Sequence, residues 1–283
     1  MRKRVVPKRR KRGLIIIFLL GLGITLFPIV SQTMYYFASR VVVTEFEKNA
    51  SHISTKDVDK RIALAKAYNE TRIQKVWIQD PFTDLQKDGI KEYARMLEIN
   101  EQIGYLRIPK LLEEIPIYAG TSENVLQKGV GHLELTSLPV GGESTHTVLS
   151  AHRGLPTAKL FTDLDKMEIG DMFYIRNIKE ILAYRVFQVK VVEPTDLGAI
   201  AIQTGKDCAT LLTCTPYMIN SHRLLVMGER VPYVEQEQTL QTNQYQTLWL
   251  YRWLFYLALS GVVILSGIII RMRKKGRLSR EKN

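Results

Sequence analysis

Two long apolar segments, one near each end of the chain, constrain the fold more than any other feature. The first covers residues 14–30 and continues less purely to 37, and the second covers residues 248–270. Each approaches or reaches the roughly 20 residues that a bilayer core requires. Both are therefore predicted to cross a membrane as helices. The stretch between them, roughly 200 residues, is long enough for one domain with a substantial core.

Basic residues flank these segments on their outer sides. Of the net charge of +12, residues 1–13 carry +8 and residues 271–283 carry +6, which leaves −2 for residues 14–270. By the positive-inside rule both termini are expected in the cytoplasm and the region between the segments outside. The basic residues are confined to the tails rather than gathered on a folded face, so nucleic-acid binding is not expected.

From about residue 101 the sequence changes to short β-rich runs separated by glycine-, proline- and asparagine-rich connections. The runs are 103–108, 115–118, 145–151, 172–175, 183–192, 210–213 and 224–227. Seven or eight such runs with few helices predict a mainly β fold, a closed or nearly closed barrel. The preceding region is predicted to be helical over residues 54–76, capped by Ser54 or Thr55, and again over 83–97.

The chain has two cysteines, Cys208 and Cys214. They lie six residues apart in one predicted strand, so about 20 Å separates them along it. A disulfide spans only about 4.4 to 6.8 Å between Cα atoms. Cys208 is therefore expected to be a small buried side chain, and Cys214 a free thiol.

Cys214 ends the apolar run that begins at Thr210, and Arg223 opens the next run nine residues later. This pattern predicts two neighbouring strands that present a thiol and a guanidinium side by side. A nearby cation favours the thiolate, which is the nucleophilic form of cysteine. The pair is therefore a candidate for nucleophilic catalysis.

Five histidines are candidates for a base that would work with Cys214. His152 is favoured because it follows an apolar run and opens a loop, the strand-end position from which sheet and barrel enzymes present catalytic groups. The other four are not favoured. His52, and His132 in a glycine-rich loop, are expected on the surface, and His146 is expected to be structural. His222 is expected to point away from the face that carries Arg223.

These residues together resemble the sortase family. Thr210–Cys214 matches the TLxTC signature, His152 in Ala-His-Arg-Gly matches the catalytic histidine, and Arg223 matches the arginine. The similarity covers about residues 75–235. Asp80-Pro81-Phe82 further resembles the lid motif of class C, pilus-building sortases of Gram-positive bacteria. Two departures, alanine before the histidine and a methionine at 227 where arginine is common, touch no catalytic group.

The resemblance implies a sortase-type barrel of about eight strands and a cysteine transpeptidase. Cys214 would attack the threonine carbonyl of an LPxTG-like signal, His152 would act as general acid and base, and Arg223 would stabilise the oxyanion. Thr213 would take part in substrate binding, and residues 80–82 would form a lid over the thiol. The implied partners are pilin subunits, with their sorting signals and acceptor lysines, and the lipid bilayer. No cofactor or metal is expected.

The predicted organisation divides the chain into seven parts. They are a basic tail (1–13), a membrane helix or signal anchor (14–37), an extracellular helical region with the lid (38–100), the catalytic barrel (101–235), a linker (236–247), a second membrane helix (248–270) and a second basic tail (271–283).

Several alternatives stay open on the sequence alone. Residues 14–27 also fit a cleaved signal peptide, although the length of the apolar stretch and the absence of a clean small-x-small site after it favour an anchor. A hydrolytic cysteine peptidase, a housekeeping sortase that anchors proteins to peptidoglycan and a non-enzymatic receptor are the other functional readings.

Overall fold

The computed structural model describes residues 8–73 and 93–235, together with the isolated positions 239, 243 and 246. The chain divides into two units, residues 1–233 and 234–283, and the description below concerns the first. The predicted lid at 80–82 and the predicted membrane segment at 248–270 lie outside the described residues.

Eight strands form a closed barrel, which confirms the predicted mainly β barrel. The strands are β1 (Gln102–Ile108), β2 (Glu113–Ala119), β3 (Val130–His132), β4 (Thr145–Ser150), β5 (Met172–Arg176), β6 (Ile181–Val192), β7 (Asp207–Thr215) and β8 (His222–Val231). They close in the order β1-β2-β3-β4-β7-β8-β6-β5. The β2–β3 and β4–β7 pairs are parallel and the other neighbours are antiparallel.

Alternation along β7 shows how the sequence fills the barrel. Ala209 and Leu211 point inward and belong to the main core, while Leu212 belongs to a smaller apolar cluster. Since successive side chains in a strand point to opposite faces, Cys208 and Cys214 lie on the same face as Leu212. Cys208 is 1% exposed, and both cysteines are free, as the sequence predicts.

Within the part of the chain that the structure describes, three α-helices accompany the barrel: α1 (Lys8–Ser51), α2 (Thr55–Ile73) and α3 (Glu123–Lys128). The Ser54 hydroxyl accepts a hydrogen bond from the Asp57 backbone N–H at 3.2 Å and donates one to the Asp57 carboxylate at 2.8 Å. Satisfying an otherwise free N–H in this way stabilises the start of a helix. The cap predicted for α2 is therefore present.

The long helix α1 has two different halves. Its C-terminal half packs on the barrel through Val43, Phe46 and Ala50, which are buried in the main core. Apolar side chains in its N-terminal half, such as Ile24, are exposed. In the described part of the chain, one helix, over Leu19–Ser51, is long and apolar enough to cross a membrane. The boundary predicted between residues 37 and 38 falls inside this continuous helix.

Candidate active site

Cys214 and Arg223 are direct cross-strand partners. In the antiparallel pair of β7 and β8, the register places Cys214 opposite Arg223, and Thr215 opposite His222. Directly opposite residues have Cβ atoms about 4.5 to 5.5 Å apart on one face of the sheet. The strand register therefore places Cys214 and Arg223 side by side on adjacent strands, as the sequence predicts.

His152 lies just beyond the end of β4, the other neighbour of β7. The parallel register pairs Ser150 with Leu212, and the Ala151 N–H donates to the Leu212 carbonyl at 3.2 Å. Continuing that register by two residues leads to His152 on β4 and Cys214 on β7. The three candidates thus lie at the ends of three consecutive strands in the barrel, β4, β7 and β8, and all are at the same end.

Thr213 connects the strands that carry the cysteine and the histidine. Its buried hydroxyl donates a hydrogen bond to the Ala151 carbonyl at 2.8 Å. That carbonyl belongs to the residue directly before His152. The hydroxyl is therefore committed to holding the end of β4, and the predicted contact of Thr213 with substrate would have to use its backbone.

Charged and polar groups contact the two basic candidates. The His152 Nε2 lies 3.3 Å from a carboxylate oxygen of Glu123, the first residue of α3. A hydrogen bond from Gln127, and then the neighbouring imidazole, hold the pKa of the Glu123 carboxyl below its usual range. The Arg223 guanidinium donates to the carbonyls of Asn220 and His222 at 3.2 and 3.0 Å. The guanidinium is therefore anchored to the backbone of the β7–β8 turn.

Comparisons with known proteins bear on this geometry. A family model described as "Sortase domain" matches residues 106–231, a range that contains all three candidates. Sortase C of Streptococcus pneumoniae is 55% identical in its solved structure, with a TM-score of 0.61, over 68% of this chain and 97% of that one. This chain belongs to the sortase family. It is accordingly a cysteine transpeptidase by family.

Two further relatives show how sequence identity varies across the family. Sortase C1 from pilus island 1 of GBS is 54% identical, with a TM-score of 0.63, over 70% of this chain and 94% of that one. Sortase D of Bacillus subtilis (strain 168) is 31% identical over 137 residues, 47% of this chain and 66% of the relative. The matched region therefore covers about two thirds of the length of Sortase D and nearly all of each sortase C structure.

Arg153, the residue after the candidate histidine, links the loop beyond β4 of this sortase to the end of β7. Its guanidinium donates to the Thr215 hydroxyl at 3.0 Å and to the Thr162 carbonyl at 3.2 Å, and it forms an ion pair with Asp165 at 2.7 Å. The side chain is only 8% exposed. Thr215 follows Cys214 directly, so one buried guanidinium connects the neighbours of both candidates. Sequence reasoning missed this residue.

Gly154 continues the same loop of the sortase with φ +87°, a conformation that favours glycine. A Cβ at this position would lie 2.7 Å from the ring of Tyr217 in the β7–β8 turn. The absence of a side chain therefore allows the loop beyond β4 to contact that turn.

His146 has the structural role predicted for it. Its Nδ1 lies 3.0 Å from the Ala201 carbonyl and its Nε2 lies 2.7 Å from the Thr210 hydroxyl. A carbonyl can only accept, so Nδ1 carries the proton and Thr210 donates to Nε2. Burial lowers the pKa of His146, which favours this neutral form. The first threonine of the sortase signature thus fixes the connection between β6 and β7 through one imidazole.

His132 is not the surface residue that the sequence suggests. It lies in β3, a three-residue strand that the sequence analysis missed, and it is fully buried. One ring nitrogen contacts the Tyr93 hydroxyl at 2.8 Å and the other the Ser137 carbonyl at 2.9 Å. Burial lowers the pKa of His132 to about 4. The prediction failed because Gly129 directly before the strand and Gly131 within it give the sequence the character of a loop.

The two sortase cysteines differ in their surroundings. Burial raises the pKa of Cys208 to about 11, so this thiol stays protonated and unreactive near neutral pH. Cys214 is half-buried at the end of its strand. Among residues 8–73 and 93–235, no group of three or more His, Cys, Asp or Glu side chains is placed to hold a metal ion.

Proposed function

We propose that this sortase is a membrane-anchored transpeptidase that cleaves an LPxTG-like signal between threonine and glycine and joins the threonine to a pilin lysine. The observation that carries the proposal is the pairing of Cys214 with Arg223, with the end of β4 and His152 alongside. This arrangement offers a nucleophile, a cation and a proton-transfer group on adjacent strand ends.

In the first half-reaction the Cys214 sulfur attacks the threonine carbonyl carbon. The carbonyl oxygen gains negative charge, which the Arg223 guanidinium stabilises. As the tetrahedral intermediate collapses, the C–N bond to glycine breaks and His152 supplies the proton that the departing amine takes. A threonyl thioester on Cys214 remains.

In the second half-reaction an amine attacks the thioester. A lysine Nζ forms the new C–N bond, its proton passes to His152, and the C–S bond breaks to release Cys214. The product is an isopeptide bond, so repeated cycles would polymerise pilins. Support for a pilin acceptor comes from the two similar solved structures. The S. pneumoniae sortase C is described in terms of pilin substrate specificity, and the GBS enzyme is named for its pilus island.

The proposal is tested by giving the full-length enzyme an LPxTG-like peptide and a pilin domain with a free lysine. Mass spectrometry should detect a peptide–pilin adduct that lacks the glycine and everything after it. The Cys214→Ala variant should form neither thioester nor adduct. If the peptide is instead released with a free threonine carboxylate, at a rate that does not depend on the amine concentration, the enzyme is a hydrolytic peptidase. If the threonine is transferred only to a peptidoglycan-like amine, the enzyme is a housekeeping sortase.

We further propose, on the resemblance of Asp80-Pro81-Phe82 to the class C lid, that this segment covers the active site before substrate binds. Asp80 would pair with Arg223 and Phe82 would cover the thiol. Asp80→Ala and Phe82→Ala should each raise the rate at which Cys214 reacts with a thiol reagent. Equal rates in both variants and the parent enzyme would contradict the lid.

The proposed topology has both basic tails in the cytoplasm and the catalytic domain outside. It rests on the exposed apolar half of α1 and on the charge of the two tails. Protease treatment of intact cells should remove the barrel and leave both tails protected.

A further inference from the structure

The β7–β8 turn carries three consecutive exposed apolar residues next to the active site. Tyr217, Met218 and Ile219 are 49%, 73% and 70% exposed. They lie between Cys214 and Arg223, at the end of the barrel that carries the catalytic candidates. Contiguous exposed apolar groups indicate a surface that contacts an apolar partner.

Helix α1 runs along the barrel with its N-terminal side at this same end. The Ser31 hydroxyl oxygen lies 3.0 Å from the Pro156 carbonyl oxygen, and the Tyr35 hydroxyl donates to the Lys128 carbonyl at 2.9 Å. Pro156 lies four residues beyond His152, and Lys128 lies just before β3, whose start pairs with the end of β4.

A later residue of α1 contacts a position farther from the catalytic end. Glu47 pairs with Arg176 at 3.0 Å. Arg176 lies opposite Tyr105, in the interior of β1. The order of these contacts fixes the direction of the helix, so residues before Ser31 extend beyond the catalytic end of the barrel.

The length of the apolar segment of α1 then determines which residue of the helix lies at the outer surface of the bilayer, and so how far the barrel lies from the membrane. A helix needs about 20 apolar residues to cross the hydrocarbon core. Counting from Leu14, where the basic tail ends, that length reaches about Thr33. Ser31 is thus at the outer boundary of the bilayer, and its contact with Pro156 places the loop beyond β4 at the same level.

The β7–β8 turn is tied to that loop. The ring of Tyr217 packs so closely on Gly154 that a Cβ there would lie 2.7 Å from it. Gly154 is two residues from Pro156, whose carbonyl contacts Ser31. The exposed turn is therefore connected, through one short loop, to the point where α1 leaves the membrane.

We propose that Tyr217, Met218 and Ile219 insert into the lipid interface of the membrane that α1 crosses, so that the catalytic end of the barrel faces the bilayer. The inference rests on the proposed membrane anchoring by α1. Tyrosine is suited to the headgroup level, and the apolar side chains of methionine and isoleucine are suited to the boundary with the acyl chains. Cys214 then lies where a substrate held in the same membrane would present its cleavage site.

The test uses the full chain with Cys214→Ala, in which the buried Cys208 is the one cysteine left. Met218→Cys carries an environment-sensitive dye. Leu135→Cys is the matched control, because Leu135 is an equally exposed apolar residue at 77% but lies beside the start of β4, away from the catalytic end. Ile24→Cys in α1 reports on anchoring itself.

Each labelled protein is reconstituted into vesicles of equal parts phosphatidylcholine and phosphatidylglycerol, with or without brominated acyl chains. The dye at 218 should be quenched at least about twofold more than the dye at 135, and the dye at 24 should be quenched as well. The unsubstituted Cys214→Ala protein should take up no dye. Ile219→Cys replaces Met218→Cys if the latter melts below the parent protein.

The outcomes separate the inference from the proposed anchoring. Quenching at 24 without quenching at 218 or 219 would overturn the inference and leave the anchoring intact. No quenching at 24 would overturn both. A blue-shifted dye at 218 that brominated lipid does not quench, and that returns to red on dilution of the protein in lipid, would identify a second copy as the partner and also overturn it.

Discussion

Cys214 and His152 are held at the same end of the barrel by different means. Cys214 is placed opposite Arg223 by the backbone register of two long strands. His152 lies beyond the last paired residue of β4, and the buried side chain of Arg153 links its loop to the end of β7. The difference implies that substitutions beside the cysteine act through lost functional groups, whereas substitutions beside the histidine act through lost position.

The largest effect is expected where a functional group is lost without a change in position. Arg223→Lys keeps a positive charge but removes the planar fork, and loss of one oxyanion donor lowers kcat by about 10²- to 10³-fold. The melting temperature should barely change, because among the described residues the guanidinium bonds two carbonyls of a partly exposed turn. Steady-state kinetics with calorimetry check this. A large drop in melting temperature would mean that Arg223 holds the strands together.

A smaller effect is expected from Arg153→Met, which removes three contacts and leaves the catalytic groups in the sequence. Misplacement by about 1 Å can cost about 10²-fold in kcat. Arg153→Lys should recover only part of this loss, because a lysine cannot reach Thr215, Thr162 and Asp165 together. Asp165→Asn is the matched control and should have a smaller effect than either. Unchanged kcat in Arg153→Met would show that strand register alone positions His152.

Thr213 lies between the two regions, because its hydroxyl connects β7 to the residue before His152. The Thr213→Val variant tests this connection. Removing a buried donor and leaving its acceptor unpaired costs about 1 to 3 kcal/mol of unfolding free energy. Urea unfolding measures that loss, and kcat should fall less than in Arg153→Met. Equal stability of the variant and the parent would indicate that Ala151 finds another donor.

The smallest effect is expected from Glu123→Gln. The carboxylate is exposed and its contact with His152 is long, so solvent screens the pair and kcat should change severalfold at most. The change should shrink further as salt is added, whereas the Arg153→Met defect should not depend on salt. If Glu123→Gln instead lowers kcat by an amount that does not depend on salt, Glu123 is one of the side chains that position His152.

Seven of the eight barrel strands could be predicted because each contains a run of apolar residues between turn residues. The same local pattern predicts Cys214 at the end of β7 and Arg223 at the start of β8. It does not reveal β3, because Gly129 and Gly131 interrupt the run there. His132 was misjudged for the same reason: its burial comes from the packing of distant segments rather than from its neighbours in sequence.

The contacts around His152 could not be predicted from sequence for a different reason. Glu123 is 29 residues before it, and the partners of Arg153 lie up to 62 residues away. Contacts between such distant side chains leave no periodicity in the sequence. The resemblance to sortases identifies the catalytic candidates, but it does not say which neighbours hold them in place.

The closure of the barrel has a consequence for recognition. Closure gives every strand a neighbour on both sides, so an extended peptide could add its main-chain hydrogen bonds only where a strand outruns its neighbour, as β6 does beyond Val186 on the side of β5.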